Sequence, residues 1–213
     1  MDLLSRFRIH FGKTEAMRFT SHLDLHRTWE RTFRRAQLPL AYSKGFHPQP
    51  RLALACALPL GFTSEAELLD VWLEQPIHPN HVAANLLKAL PPGVDVYKVN
   101  PVDLNSPALQ IQLQSAEYLI SLKTTIYDLE ERIHTLLSSE SILRKRREKL
   151  YDLRPLVELV EISGEWLATL TPCFRTRLAA REGATGRPEE LLLAMGLDFS
   201  QARIHRLKLY FRD

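Results

Sequence analysis

The sequence predicts an α+β protein built from two tandem ferredoxin-like (βαββαβ) domains, residues 1–104 and 115–213. Three observations carry this. The order strand, helix, two strands, helix, strand can be read twice along the chain. Each copy spans about 100 residues, an ordinary domain size. The stretch from Asn100 to Gln114 between them holds two prolines and little charge, and reads as a linker. At 45% hydrophobic and 25% charged residues the chain is neither disordered nor collagen-like.

In the first half, Phe7, Ile9 and Phe11 alternate with Arg8, His10 and Gly12, the period of a half-buried strand. Ser21 opens a helix with Asp24 three residues on, as a short capping box. Leu25, Trp29, Phe33 and Ala36 then form one apolar stripe, and Pro39 stops the helix. Arg51–Leu60 and Ala66–Leu73 read as the next two strands. A helix follows from about Asn80 to Leu90, and Val94, Val96 and Val99 supply the fourth strand. In the second half the strand at Tyr118–Leu122 precedes a helix over Ile126–Leu137. Leu156–Ile162 and Trp166–Leu170 read as a hairpin around Ser163-Gly164. Pro188–Met195 is a short helix with Gly196 as its C-terminal stop, and Ile204–Phe211 closes the domain.

The longest apolar run, Leu52–Leu60, is too short for a membrane helix, which needs about 20 residues. The start shows no secretory h-region. These features predict a soluble cytoplasmic protein with no membrane contact. Cys56 and Cys173 are the only cysteines and form no CxxC spacing, so the chain has no thiolate cage for zinc or an iron–sulfur cluster. They read as reduced thiols, a disulfide between the halves being the alternative.

The net charge of +3 conceals an uneven distribution. Residues 1–51 hold ten Lys/Arg against four Asp/Glu, and residues 52–104 hold two against six. Residues 142–155 are basic again, with six against two. Two basic islands on an acidic-to-neutral body predict contact with a polyanion.

The first island has helical order. Arg27, Arg31, Arg34 and Arg35 lie at i, i+4, i+7 and i+8, opposite Trp29 and Phe33. A solvated helix face is the plain alternative, but Arg at all four positions suits bidentate phosphate contact. Arg18 just ahead of the helix extends the same charge. The second island, Arg144, Lys145, Arg146 and Arg147, reads as a mobile loop able to clamp a phosphate backbone, or as a solvated connector.

Residues 42–51 cannot be regular structure, with Gly45, Pro48 and Pro50 among them. Tyr42, Lys44, Phe46, His47 and Arg51 offer stacking faces beside cations, a combination suited to unpaired bases. The alternative is a crossover whose aromatics plug the core. His22 and His26 share one helix face at a metal-compatible spacing, yet no HExxH pattern accompanies them, and no metal site is assigned. His22 and His47 are the only candidates for acid–base work on an RNA 2′-hydroxyl.

Several segments together resemble a known family. They are Phe7-Arg-Ile-His-Phe-Gly-Lys13, Met17-Arg-Phe-Thr-Ser-His-Leu-Asp-Leu25, Phe33-Arg-Arg-Ala36, Leu38 through Arg51, and Leu58-Pro-Leu-Gly61. Tyr151-Asp-Leu-Arg-Pro155, Gly186-Arg-Pro-Glu-Glu-Leu-Leu192 and Arg203-Ile-His-Arg206 continue the likeness. They are similar to the bacterial radical-SAM-linked proteins, a domain-of-unknown-function family encoded beside or fused behind a radical S-adenosylmethionine protein. The resemblance implies a radical-SAM partner but no established reaction and no catalytic residues. It often has Asn where this chain has His47, which argues against an obligatory acid or base there. The iron–sulfur cluster and S-adenosylmethionine are expected only in the partner, because this chain lacks a cysteine trio. The resulting expectation is a non-catalytic accessory or substrate-presenting protein that binds RNA in RNA modification or processing. Two alternatives stay open. One is a metal-independent RNA endonuclease of tandem ferredoxin-like architecture, although the glycine-rich C-terminal loop of such nucleases is missing. The other is a pure protein-interaction module docking the radical-SAM protein.

Overall fold

Alternation along Phe7, Ile9 and Phe11 places three large apolar side chains on one face of strand β1 (Ser5–Lys13), and all three are buried. The computed structural model that shows this describes residues 4–146, 148–166 and 171–212. The chain divides into two units, Met1–Gln112 and Leu113–Asp213. Both are mixed α+β.

In the N-terminal unit, β1 is followed by α1 (His22–Arg35), β2 (Leu52–Leu54), β3 (Phe62–Leu73), α2 (Pro79–Ala89), β4 (Val94–Val102) and a short α3 (Leu109–Gln112). All pairings are antiparallel, and the strand order is β4-β1-β3-β2. One core joins Phe7, Ile9 and Phe11 to Leu69, Val71 and Leu73 of β3. Leu25, Trp29 and Phe33 of α1 and Val82 and Leu86 of α2 complete it. Both helices therefore cover the same sheet face. Trp29 is the keystone: its ring meets Phe11 edge-on at 4.9 Å and Phe33 at 5.7 Å. The opposite face carries Arg6, Arg8 and His10, the other half of the same alternation.

Two expectations for this unit need correcting. Only Leu52–Leu54 of the apolar run pairs as a strand, with Leu69–Val71. Beyond it Ala55 and Leu58 are buried as a turn, so the run is apolar because it is covered rather than because it is extended. The expected linker is also largely regular, since β4 continues to Val102 and α3 occupies Leu109–Gln112. Arg6 holds the segment between them. Its guanidinium donates to the carbonyls of Ser106 (2.5 Å) and Pro107 (3.1 Å). At the turn before β4, Gly93 has φ +91, and an added Cβ would lie 2.8 Å from Met17. Only glycine fits there without displacement.

The C-terminal unit runs β5 (Leu113–Leu122), α4 (Leu129–Ser138), β6 (Leu143–Arg146), β7 (Lys149–Asp152), β8 (Val157–Trp166), β9 (Thr171–Arg181), β10 (Ala184–Thr185), α5 (Pro188–Ala194) and β11 (Ala202–Phe211). Its main sheet is again antiparallel, in the order β11-β5-β9-β8, with β10 beside β9. Ile120, Leu122, Phe174, Leu178 and Ile204 are buried, as are Leu129, Ile133 and Leu136 of α4 and Leu191 and Leu192 of α5.

Here too the structure changes specific expectations. The helix expected from Ile126 begins at Leu129. Ser163-Gly164 is not the hairpin turn, because β8 runs through it to Trp166. Gly164, at φ +79, is taken up by a register shift between Ile162 and Glu165. The β8–β9 connection falls on residues 167–170, outside the described residues. The described residues of the second basic island, Arg144, Lys145 and Arg146, lie in a strand rather than a loop. β6 and β7 form a two-stranded antiparallel ladder pairing Leu143–Arg146 with Lys149–Asp152. Asp152 anchors it by accepting from the backbone N–H groups of Ile142 (2.8 Å) and Arg154 (2.9 Å). These bonds hold its carboxyl below the usual carboxylate range, so the anchor stays ionised near neutral pH.

Candidate nucleic-acid interface

Ser21 sits in extended backbone, and its Oγ accepts from the Asp24 N–H at 3.1 Å, which starts α1 where the sequence indicates. Burial of Leu25, Trp29 and Phe33 then forces Arg27, Arg31, Arg34 and Arg35 outward, and all four are exposed. They are not equivalent. Arg27 lies 3.6 Å from Asp24, and Arg34 lies 2.7 Å from Glu30, both as exposed pairs of little energetic weight. Arg31 has no ion-pair partner among the described residues.

Arg35 turns away to the last turn of α2, where its Nε donates to the Ala89 carbonyl at 3.0 Å and its Nη2 also reaches that oxygen. It therefore caps a helix end, a structural role that the sequence reading of the arginine row did not include. Arg35→Ala is expected to lower unfolding stability by about 1–2 kcal/mol, the usual value of a charge-assisted bond. Arg31→Ala should leave stability within about 0.5 kcal/mol, as at other unencumbered surface positions. Urea unfolding of the two variants checks the contrast.

The segment 39–51 leaves and rejoins the sheet through a narrow neck. The Ala41 N–H donates to the Trp72 carbonyl (2.9 Å), and the Arg51 N–H to that of Ala41 (2.8 Å). Ser43 and Gln49 exchange two bonds across the neck, of 2.8 and 3.0 Å. Residues 42–49 beyond Ala41 are all exposed. Gly45 has φ +138, open to glycine and strained for other residues, and leads into Phe46, whose side chain is completely exposed. The aromatics do not plug the core, which removes the crossover reading for Phe46. Lys44 and His47 flank it, also exposed.

Arg34 connects loop and helix. Its Nη2 donates to the Tyr42 hydroxyl at 3.1 Å. This bond, followed by the charge of Glu30, raises the affinity of the guanidinium for its proton. The arginine face and the aromatic loop thus share one edge. Arg51 is committed elsewhere: its guanidinium carbon lies 4.9 Å from the centre of the Trp72 ring, with Arg6 4.8 Å from the same ring. Arg18 is likewise largely structural. It donates to the Gly61 carbonyl (2.8 Å) and lies over Phe19, while the buried Lys13 ammonium holds the Arg18 and Thr20 carbonyls.

His22 lies in the first turn of α1, and His47 on the exposed loop. Among the described residues no three His, Cys, Asp or Glu side chains gather as a metal site. In the C-terminal unit Arg144 and Lys145 are ion-paired, to Glu190 (2.9 Å) and Glu148 (2.7 Å). Arg146 is exposed. Arg147 lies outside the described residues. Cys56 and Cys173 are not joined in a disulfide.

The sheet face of the N-terminal unit opposite the helices is not among the sites expected from the sequence, although Arg6, Arg8 and His10 at every second position mark it. Asp70 is fully buried at its centre. It accepts from Arg6 Nη2 (2.5 Å) and Nε (3.2 Å) and from Arg8 Nε (2.8 Å) and Nη2 (3.0 Å). His10 lies opposite Lys98 on the neighbouring strand. Burial first, then Lys98 and Arg8, lower its pKa against the opposing pull of Asp70.

The neutral imidazole is thus the form the folded state prefers. Below the ordinary His value of about 6.5 the unfolded chain takes up a proton that the folded chain resists. Stability attributable to His10 is therefore complete above that pH and falls as pH drops toward the lower folded value. His10→Gln is expected to flatten this limb in unfolding curves on the acid side of the ordinary His value. An unchanged slope would assign the dependence to other groups.

Fold and surface define a mixed α+β protein carrying an exposed arginine helix face beside an exposed, aromatic-tipped loop. The chain belongs to the DUF2344 family, described as an uncharacterized protein conserved in bacteria, whose model matches residues 6–188. No curated protein matches it. Among solved structures it is similar to a chain of a Cbf5-Nop10-Gar1 complex, at 14% identity and TM-score 0.47, over 97% of this chain and 50% of that one. A chain of an H/ACA RNP bound to a substrate RNA gives 14% and 0.39, over 85% and 42%. The acetolactate synthase small subunit from Thermotoga maritima gives 11% and 0.27, over 99% and 98%. The chain spans half or less of the first two, and likeness at these values says nothing of function. No described helix is long and apolar enough to cross a membrane.

Proposed function

We propose that the protein is a non-catalytic, RNA-binding accessory factor that presents substrate to a radical-SAM partner in the cytoplasm. The observation that carries the RNA half is the Arg34–Tyr42 hydrogen bond. It joins the exposed Arg27, Arg31 and Arg34 to a loop whose tip is the fully exposed Phe46. Guanidinium groups beside a free aromatic face suit a single-stranded phosphate backbone with unstacked bases. The partner half rests on the sequence resemblance to radical-SAM-linked proteins. It also rests on the two cysteines of this chain, too few to hold a radical-SAM cluster. Each unit has the strand order 4-1-3-2 in a βαββαβ sequence, which supports the tandem ferredoxin-like reading.

Filter binding of bacterial tRNA and rRNA fragments at rising salt tests the RNA half. Retention that weakens steeply with salt supports it, and no retention at micromolar protein overturns it. RNA cleavage that is lost in a His22→Ala/His47→Ala variant would replace the accessory role with the nuclease one. Nuclease-resistant co-purification with the radical-SAM protein, without RNA retention, would leave protein docking as the whole function.

A further inference from the structure

The C-terminal unit contains a cleft of about 730 Å³ between the β6–β7 ladder and the β9–β10 turn. Its volume falls within the usual range for small-molecule sites, about 300–1,000 Å³. Arg146, Lys149, Tyr151 and Asp152 line one side, and Leu156 and Ala184 add apolar surface. Arg187 follows β10 closely, and its charge is felt at the Tyr151 hydroxyl together with those of Arg144 and Arg146.

The division of labour among these cations matters. Arg144 is neutralised by Glu190 and Lys145 by Glu148. Arg146 and Lys149, which line the cleft together with Tyr151, have no ion-pair partner among the described residues. The Tyr151 phenol is pushed above its ordinary pKa, mainly by burial and then by Glu190, so it stays protonated and able to donate. Asp152, whose Oδ1 is fixed by two backbone N–H groups, remains a carboxylate at the wall of the cleft.

The cleft therefore offers, within one small volume, a ring for stacking, cations for a phosphate and a carboxylate to accept from hydroxyl or amino groups. We infer that it binds a nucleoside phosphate, with the base against Tyr151, the phosphate on Arg146 and Lys149, and a ribose hydroxyl or base amino group on Asp152. Either a free mononucleotide or the 5′-phosphorylated end of an RNA supplies this chemistry. The site is distinct from the α1 face and does not depend on the function proposed there.

Isothermal titration of the full chain with nucleoside 5′-monophosphates, the matching nucleosides and inorganic phosphate tests the inference. A pentanucleotide with and without its 5′-phosphate is titrated alongside. Nucleotides are expected to bind at least tenfold more tightly than nucleosides or phosphate alone. Arg146→Glu/Lys149→Glu should abolish the binding, Tyr151→Ala should weaken it at least fivefold, and Tyr151→Phe should weaken it less than Tyr151→Ala. Preference for the 5′-phosphorylated over the 5′-hydroxyl RNA assigns the RNA end. Binding of mononucleotides alone assigns a free nucleotide. Circular dichroism melts of the variants separate lost binding from lost folding, and Tyr151→Phe keeps the ring if Tyr151→Ala fails to fold. Absence of nucleotide binding, or binding unchanged in the folded Arg146→Glu/Lys149→Glu variant, overturns the inference. Arg27→Glu/Arg31→Glu/Arg34→Glu is expected to keep the nucleotide affinity, so the RNA face and this cleft fail or succeed separately.

Discussion

Asp70→Asn is expected to lower the unfolding free energy by about 3–5 kcal/mol, the largest effect of any single polar substitution in the N-terminal unit. Asp70 is fully buried and accepts four guanidinium hydrogen bonds from Arg6 and Arg8. An amide of the same shape keeps the volume but removes the carboxylate charge set against the buried Arg6. The cost arises less from the attraction that is lost than from the cation left behind in a poorly solvated site. Arg6 also holds the Ser106 and Pro107 carbonyls, so its disturbance should loosen the segment between β4 and α3. Urea unfolding measures the loss, and amide exchange at residues 103–108 locates it. A loss under about 1 kcal/mol would mean that water reaches Arg6 and that the cluster is not truly dry.

Charge reversal of the α1 face should have the largest effect on function. Arg27→Glu/Arg31→Glu/Arg34→Glu is expected to abolish RNA retention while leaving thermal stability nearly unchanged, because the three guanidinium groups are exposed and their ion pairs weak. Neutral replacement is more informative than reversal. Each phosphate contact removed should flatten the salt dependence of single-strand binding by about 0.7 in logarithmic slope. Phe46→Ala should act differently. It removes a stacking platform rather than a charge, so affinity should fall by about 1–3 kcal/mol with the salt slope unaltered. Competition filter binding over a salt series separates the two. Equal slopes for wild type and the arginine variants would remove this face from RNA contact.

Local patterns account for what is legible in the sequence. The start of α1 is readable because Ser21, Asp24 and the stripe Leu25–Trp29–Phe33 lie within a few turns of one another. The same stripe dictates that Arg27, Arg31 and Arg34 face outward. The loop 42–51 is readable because glycine and two prolines exclude regular structure. The capping role of Arg35 is hidden for the opposite reason. Its partner, the Ala89 carbonyl, lies 54 positions away, and no spacing rule points to it. The Asp70 cluster spans 64 positions, so the Arg6–Arg8–His10 alternation signals a polar sheet face without revealing its buried acid.

The second basic island shows how charge density misleads. Four consecutive cations suggest a mobile loop, yet β6 and β7 pair across the island, and Asp152 pins their base to the backbone. The ladder brings Arg146, Lys149 and Tyr151 to one cleft wall, while Arg144 is withdrawn to Glu190. Among the described members of the island, a linear count treats as equal what pairing sorts into neutralised and available charges.

By itself the sequence determined the mixed α+β class, the outward arginine row, the irregular backbone of the loop and the shortage of cysteines for a cluster. Each depends on residues close in the chain or on composition alone. Only the tertiary structure decided which cations are available for a ligand. Capping, ion pairing and ring stacking recruit partners from distant strands and helices, and those contacts exist only once the sheets have formed.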